Sequence, residues 1–171
     1  MDPVTQTVLV SRPVAEVFDY LADIANHPEF LDHFTSEWNL TREDTYGTGA
    51  GARFKFHQRG NRFPWVDQTI LECDAPRRIV LAGRGGKYNR VRTVTAYAIE
   101  PSGSGTRVTV SFETEPKYPS DKLVDRRGFY KRQFGKGLRR LAGILEDGHD
   151  RGTRASIAGG ARKPATGTPL R

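Results

Sequence analysis

The stretch Ser120–Asp147, SDKLVDRRGFYKRQFGKGLRRLAGILED, decides how the rest of the chain is read. Leu123, Tyr130, Phe134, Leu138, Leu141 and Leu145 recur at spacings of seven, four, four, three and four residues, which places them on one helical stripe. Lys122, Asp125, Arg126, Lys131, Arg132, Lys136, Arg139 and Arg140 fall between them and form a solvated face. Ser120 or Asp121 offers a cap oxygen after Pro119, and Gly148 offers the left-handed backbone that ends a helix. Gly128, Gly135 and Gly137 lie inside, each costing up to ~1 kcal/mol against alanine. A helix so weakened needs tertiary support, and the strand-like runs before it are the expected supplier. The pattern predicts a curved sheet gripping one helix, with a ligand cavity left between them.

Working back to the N-terminus, Val4 to Val10 reads as a first strand rich in Val and Thr. Val14, Val17, Phe18 and Leu21 then follow helical spacing, with Pro13 at the helix start. A second short helix is expected over Ile24 to Phe34, interrupted by Pro28. Further strands are expected at Glu37–Glu43, Ala52–Phe56, Pro64–Cys73, Ile79–Gly83, Val91–Ile99 and Thr106–Phe112. In the second of these, Phe54 and Phe56 alternate with Arg53, Lys55 and His57, the mark of a strand with one wet face. Short connections without intervening helices favour an antiparallel meander over any parallel arrangement. The expected fold class is therefore α+β.

Composition bounds the function. At 171 residues the chain is long enough for one domain with a sizeable core. A single cysteine, Cys73, excludes an internal disulfide framework and fits a reducing, cytoplasmic setting. No apolar run is long enough to span a bilayer, so membrane insertion is not expected. The start Met-Asp-Pro-Val shows neither the basic region nor the apolar core of an export signal. Net charge is +7, of which five basic residues and one acid after residue 149 carry +4, leaving +3 for the body. Because the excess sits largely in that tail, the basic balance does not argue for a nucleic-acid partner. Residues 1–149 are read as a ligand-binding domain, and residues 150–171, poor in large apolar side chains, as a disordered basic tail that adds no stability.

No motif for metal, nucleotide or covalent chemistry is present, so no cofactor, metal site or catalytic residue is assigned. His27 and His33 bracket the second short helix and are expected at the surface, with the mouth of a pocket as the alternative. His57 shares parity with Arg53 and Lys55 and is expected to face solvent, and Cys73 reads as a small packing residue. Gly83-Arg-Gly-Gly-Lys has the look of a phosphate loop but lacks the strand–GxxxxGK[ST]–helix setting, and is read as a hairpin. Asp67 and Gln68 are the polar residues placed to reach a cavity from a mid-sheet strand; the favoured reading has Asp67 facing water and Gln68 bonding the backbone, while the side taken by Trp65 stays open.

The ordered series of motifs resembles the START-like helix-grip superfamily (SRPBCC), in its polyketide cyclase/dehydrase and lipid-transport branch. The resemblance rests on Pro13-Val-Ala-Glu-Val-Phe-Asp-Tyr-Leu-Ala-Asp, Pro28-Glu-Phe-Leu, Gly49-Ala-Gly-Ala-Arg-Phe, Glu72-Cys-Asp-Ala-Pro-Arg-Arg-Ile-Val and Glu100-Pro-Ser-Gly-Ser-Gly-Thr-Arg-Val-Thr-Val, closed by the long helix. It implies a seven-stranded curved antiparallel sheet wrapped around the C-terminal helix, two short helices after the first strand, and an apolar cavity between sheet and helix. Strand parity then points Phe54, Phe56, Gln68, Ile70, Leu81, Tyr97, Ile99, Val108, Val110 and Phe112 into that cavity, joined by Tyr130, Phe134 and Leu138 from the helix. Two functions remain open. One is a carrier or sensor that binds a small hydrophobic molecule, lipid-like or polyketide-like. The other is a polyketide cyclase/dehydrase-type enzyme acting on a ligand in the same cavity.

Overall fold

Alternating side chains along seven strands build one face that must be hidden from water, and the topology follows from hiding it. The computed structural model describes residues 2–119, 127–148 and 151–157. The strands are β1 (Val4–Val10), β2 (Thr35–Leu40), β3 (Gly51–Phe56), β4 (Trp65–Asp74), β5 (Arg78–Gly85), β6 (Val91–Ser102) and β7 (Gly105–Glu115). They form one antiparallel sheet in the order β1-β7-β6-β5-β4-β3-β2. Consecutive strands from β2 to β7 are neighbours, while the link from β1 to β2 must cross from one edge of the sheet to the other. That link carries α1 (Val14–Ala22), a 3₁₀ turn (Ile24–Asn26) and α2 (His27–Leu31). The expected α+β helix-grip class is the one observed, and its long helix, α3, is described over Arg127–Asp147. The cap at Ser120 or Asp121 and the stripe residue Leu123 lie outside the described residues.

The α3 stripe is buried as its spacing predicts: Tyr130, Phe134, Leu138 and Leu141 are in the core, with Leu145 packed at its border. Gly148 ends the helix at φ +70°, its N–H donating to the Ile144 carbonyl at 3.0 Å. Two further C-terminal carbonyls are met by Arg12, which donates to the Leu145 carbonyl at 2.8 Å and the Glu146 carbonyl at 3.0 Å. A cation at that end also complements the helix dipole. Two of the interior glycines are sites of close approach. A Cβ on Gly135 would come within 2.7 Å of Gln6 Oε1 on β1, and one on Gly137 within 2.9 Å of Leu31 Cδ2 on α2.

Two expectations change. The fragment read as Glu37–Glu43 is a strand shifted to Thr35–Leu40, with a register break between Ser36 and Asn39 and Glu37 at φ +53°. The tail expected to be disordered from residue 150 is instead held to the body over residues 151–157. Its backbone bonds Glu29, Ala25 and Leu40, and Arg154 donates to Asp23 Oδ2 at 2.6 Å and Asn26 Oδ1 at 2.7 Å. Arg151 adds an ion pair to Glu29 at 3.1 Å. The sequence argument weighed apolar side chains, whereas this strap is held by backbone bonds and by two buried carboxylates, Asp23 and Glu29. Residues 158–171 lie outside the described residues.

Asp23 is 1% exposed, so removing its guanidinium partner leaves a buried carboxylate short of compensation. Arg154→Ala should therefore cost about 3 kcal/mol, at the low end for a broken buried pair because the Ala25 N–H still bonds Asp23. Ending the chain after residue 149 should cost at least as much, whereas Arg139→Ala on the solvated face should stay within about 0.5 kcal/mol. Urea unfolding of the three variants checks this, and an unchanged midpoint for the truncation would mean the strap carries no stability.

Candidate functional site

Alternate residues along β3 to β7 are buried on the inner face of the sheet, and the thirteen positions singled out from the sequence are all buried. They are Phe54, Phe56, Gln68, Ile70, Leu81, Tyr97, Ile99, Val108, Val110, Phe112, Tyr130, Phe134 and Leu138. Phe54, Phe56, Gln68, Leu81, Tyr97 and Phe134 surround a small internal void; Phe56 and Tyr130 also wall a second pocket. Ile70, Ile99, Val110, Phe112 and Leu138 pack in the core without lining either space.

The internal void is much smaller than expected. It measures about 10 Å³, no more than the space one water occupies. Rings fill the rest: Trp38 stacks on Phe54 at 4.0 Å, Phe34 lies 5.7 Å from Phe56, and Phe112 lies 4.8 Å from Tyr130 and 4.9 Å from Phe134. Gly135 and Gly137 add to this closure. They let α3 sit closer to β1 and α2 than any side chain would allow, which shrinks the gap.

Polar groups inside this layer are paired with one another. Gln68 Nε2 donates to Thr95 Oγ1 at 3.0 Å, and the Tyr130 hydroxyl donates to Gln58 Oε1 at 3.1 Å. His27 is not at the surface: it is 1% exposed, ringed by Phe30, Trp38 and Tyr97, and its Nε2–H donates to the Leu21 carbonyl at 2.8 Å. Burial pushes its pKa below the ordinary imidazole value despite that bond and the nearby Asp23, so it is neutral at neutral pH. Burial likewise raises the Tyr97 phenol, which stays protonated.

The open space lies toward the loop end. A pocket of about 50 Å³ is bounded by Phe56, Val66, Val91, Thr93, Thr114 and Tyr130. Through Asn61, Phe63, Gly86 and Val91 it shares walls with a cleft of about 660 Å³, whose other lining residues include Arg62, Lys87, Arg90 and Tyr118. That volume is in the range of small-molecule sites. The Gly83-Arg-Gly-Gly-Lys segment is the hairpin expected, and it forms this rim. Gly85 is needed where β5 approaches β4, since a Cβ would meet Val66 Cγ2 at 2.8 Å, and Gly86 turns the chain at φ +72°. Tyr88 and Asn89 follow in the left-handed region, a costly conformation for residues other than glycine.

One atom in the pocket is out of balance. The Thr93 hydroxyl is buried and makes no hydrogen bond among the described residues. Thr93 and Thr114 share the inward parity of Tyr97 and Phe112, so extending the alternation along β6 and β7 would have found them. The cleft residues Asn61, Arg62, Phe63, Lys87 and Arg90 are loop positions that no periodicity marks.

Other residues fall outside the site. Trp65 lies on the outer face, with Arg53 at 4.9 Å and Lys55 at 4.6 Å from its ring, and Asp67 pairs with Arg53 at 3.6 Å on the same side. His57 is exposed and bonded to Ser36. Half-buried Cys73 has its thiol pKa raised, first by burial and then by Asp19 and Asp74, the reverse of what a nucleophile needs. No group of three or more His, Cys, Asp or Glu that could hold a metal occurs among the described residues. Nor is any described helix long and apolar enough to cross a membrane.

Comparison with known proteins agrees with this architecture. A family model described as "Polyketide cyclase / dehydrase and lipid transport" matches residues 1–146. No curated protein matches the chain. Among solved structures, the KanY protein superposes with a TM-score of 0.68 at 18% identity, covering 84% of this chain and 96% of that one. Norcoclaurine synthase from Thalictrum flavum gives 0.66 at 12% identity over 85% and 94% of the two chains. Major latex-like protein 151 from Panax ginseng gives 0.65 at 14% identity over 84% and 96%. At such identities the likeness is one of fold.

The buried imidazole makes a pH prediction. His27 has its folded pKa below an unfolded value of about 6.5, so between the two the unfolded chain binds the extra proton and stability rises with pH. Stability should thus be lost as pH falls below about 6.5, with a slope of up to about 1.4 kcal/mol per pH unit from this group. Half-buried His33, facing Lys136, Arg140 and Asp32, is depressed too and adds to the same window. Urea midpoints measured from about pH 7 down to about pH 5 should show the decline, and His27→Gln should flatten it. An unchanged slope in that variant would mean His27 is not held neutral.

Proposed function

Because the chain belongs to the polyketide cyclase/dehydrase and lipid transport family, we propose that it binds a small hydrophobic molecule, lipid-like or polyketide-like, as a carrier or sensor. The ligand enters through the loop-end cleft and seats an apolar part in the pocket between Phe56, Val66 and Tyr130. The observation that carries this reading is the Thr93 hydroxyl. A buried hydroxyl without a partner costs about 1–3 kcal/mol, and such a group in a pocket that opens to a cleft is accounted for by a ligand oxygen that completes it. Deeper entry requires Phe56 and Tyr130, whose rings meet edge-on at 5.6 Å, to turn aside.

Binding is favoured over acid–base chemistry by what lines the two inner spaces. Among the described residues they present threonine hydroxyls, the amides of Gln68 and Asn61, the phenols of Tyr97 and Tyr130, and an imidazole already bonded to a backbone carbonyl, and no carboxylate or lysine. The single cysteine supports a reducing, cytoplasmic setting, and the modest charge of the body supports a small-molecule rather than a nucleic-acid partner.

Native mass spectrometry of the protein as expressed should show a retained hydrophobic ligand. Thr93→Val should leave the empty protein as stable or more stable, by up to about 1 kcal/mol, while weakening retention of that ligand. Turnover of a polyketide substrate would instead favour the cyclase/dehydrase reading. Absence of both a retained ligand and saturable uptake of any apolar fluorophore would sink the pocket.

A further inference from the structure

The small internal void is more polar than packing between a sheet and a helix requires. Five polar side chains line it: His27 at the start of α2, Thr35 on β2, Gln68 on β4, and Thr95 and Tyr97 on β6. Thr35 is spent, since its Oγ1 donates to the Leu31 carbonyl at 2.7 Å and accepts from Trp38 Nε1 at 3.0 Å. The other four keep capacity in hand. His27 donates its Nε2–H to the Leu21 carbonyl, so the neutral ring retains a bare Nδ1 lone pair. Gln68 Nε2 donates to Thr95 Oγ1, which leaves the Gln68 amide oxygen as an acceptor and the Thr95 O–H as a donor. Tyr97 is 1% exposed and protonated, and its phenol is a second donor. The His27 and Tyr97 rings stand edge to face at 5.8 Å, on neighbouring walls of the same space.

We infer that the void is a binding site for a single water molecule, held by two donors, the Thr95 and Tyr97 hydroxyls, and two acceptors, His27 Nδ1 and Gln68 Oε1. Size and chemistry agree on this ligand. The void of about 10 Å³ meets the ~10–15 Å³ that one water needs, and a buried water makes two to four hydrogen bonds to groups that otherwise lack them. Water brings two O–H donors and two lone pairs, one for each of the four side chains. No carboxylate lies among the described lining residues, so a cation would find no counter-charge there. A hydrocarbon fragment would strand all four polar groups. The bound water joins the chain that crosses the sheet, through His27, to β4 and β6 at the sheet's centre. This site is independent of the ligand-binding reading. Phe56 lines both the void and the loop-end pocket, so behind that ring lies a hydrated polar site and not more apolar space.

A high-resolution crystal structure of the full chain tests the assignment. One density peak should stand in the void within about 2.5–3.2 Å of at least three of the four named atoms. No peak, or a peak bonded to fewer than three of them, would overturn the site while leaving the loop-end pocket untouched. In solution, a cross-peak between bulk-frequency water and the His27 ring protons should be seen by rotating-frame NMR. The His27 nitrogen shifts should report Nε2 as the protonated nitrogen, and a ring protonated at Nδ1 instead would overturn the scheme. Tyr97→Phe keeps the ring and deletes one donor, so it should weaken that cross-peak and lower the melting temperature by about 2–4 °C. A variant with both the cross-peak and the melting temperature unchanged would show that Tyr97 does not hold the water.

Discussion

One sheet with a single apolar face and one long helix to cover it is the constraint on which this structure depends. Seven strands offer more inner surface than α3 alone can hide, so the rest of the chain is recruited to finish the task. The β1–β2 link carries α1 and α2 across the open side, which is why Tyr20 to Leu31 is buried without interruption. Large rings then fill what remains, with Phe34, Phe56, Phe112, Tyr130 and Phe134 in mutual contact between sheet and helix. Among the described residues the ring layer gives way to open space beyond Phe56 and Tyr130. The location of the proposed site is thus a by-product of how the core is closed.

The same closure explains why polar residues sit so deep. Carrying the chain over the open side buries Asp23, Asn26, His27 and Glu29 together with the apolar residues of the link. Each has a named partner: Arg154 for Asp23 and Asn26, the Leu21 carbonyl for His27, Tyr20 and Arg151 for Glu29. Thr93 is the exception, and it lies at the opposite end, where the core gives way to the cleft. A fold that satisfies four buried polar side chains in its structural half and leaves one open in the other separates the two tasks.

How much of this was legible in the sequence depended on whether a residue obeyed a period. Phe54 and Phe56 alternate with charged neighbours, and Tyr130, Phe134 and Leu138 keep helical spacing, so their inward positions could be read directly. Thr93 and Thr114 obey the same alternation but are not apolar, and a search for greasy residues passes over them. Arg62, Lys87 and Arg90 stand on turns, where position is set by backbone conformations such as that of Gly86 rather than by any repeat. His27 misled because a histidine beside a proline at a short helix resembles a surface turn, and only the crossing of the sheet buries it. The strap misled for a similar reason. Arginine and small residues look unfit for a packed segment until two buried carboxylates are waiting for them.

The pairing of Asp23 with Arg154 has a consequence for the order of events in synthesis. The two residues are 131 positions apart, so the carboxylate leaves the ribosome long before its guanidinium exists. Until then the crossing lacks this ion pair, and burying Asp23 is less favourable without the guanidinium. The contact is among the most non-local in the chain, and non-local contacts form late. A nascent chain that has not yet reached residues 151–157 therefore keeps the open side of its sheet more loosely covered. The strap acts as a latch that closes over the crossing only once it has been made.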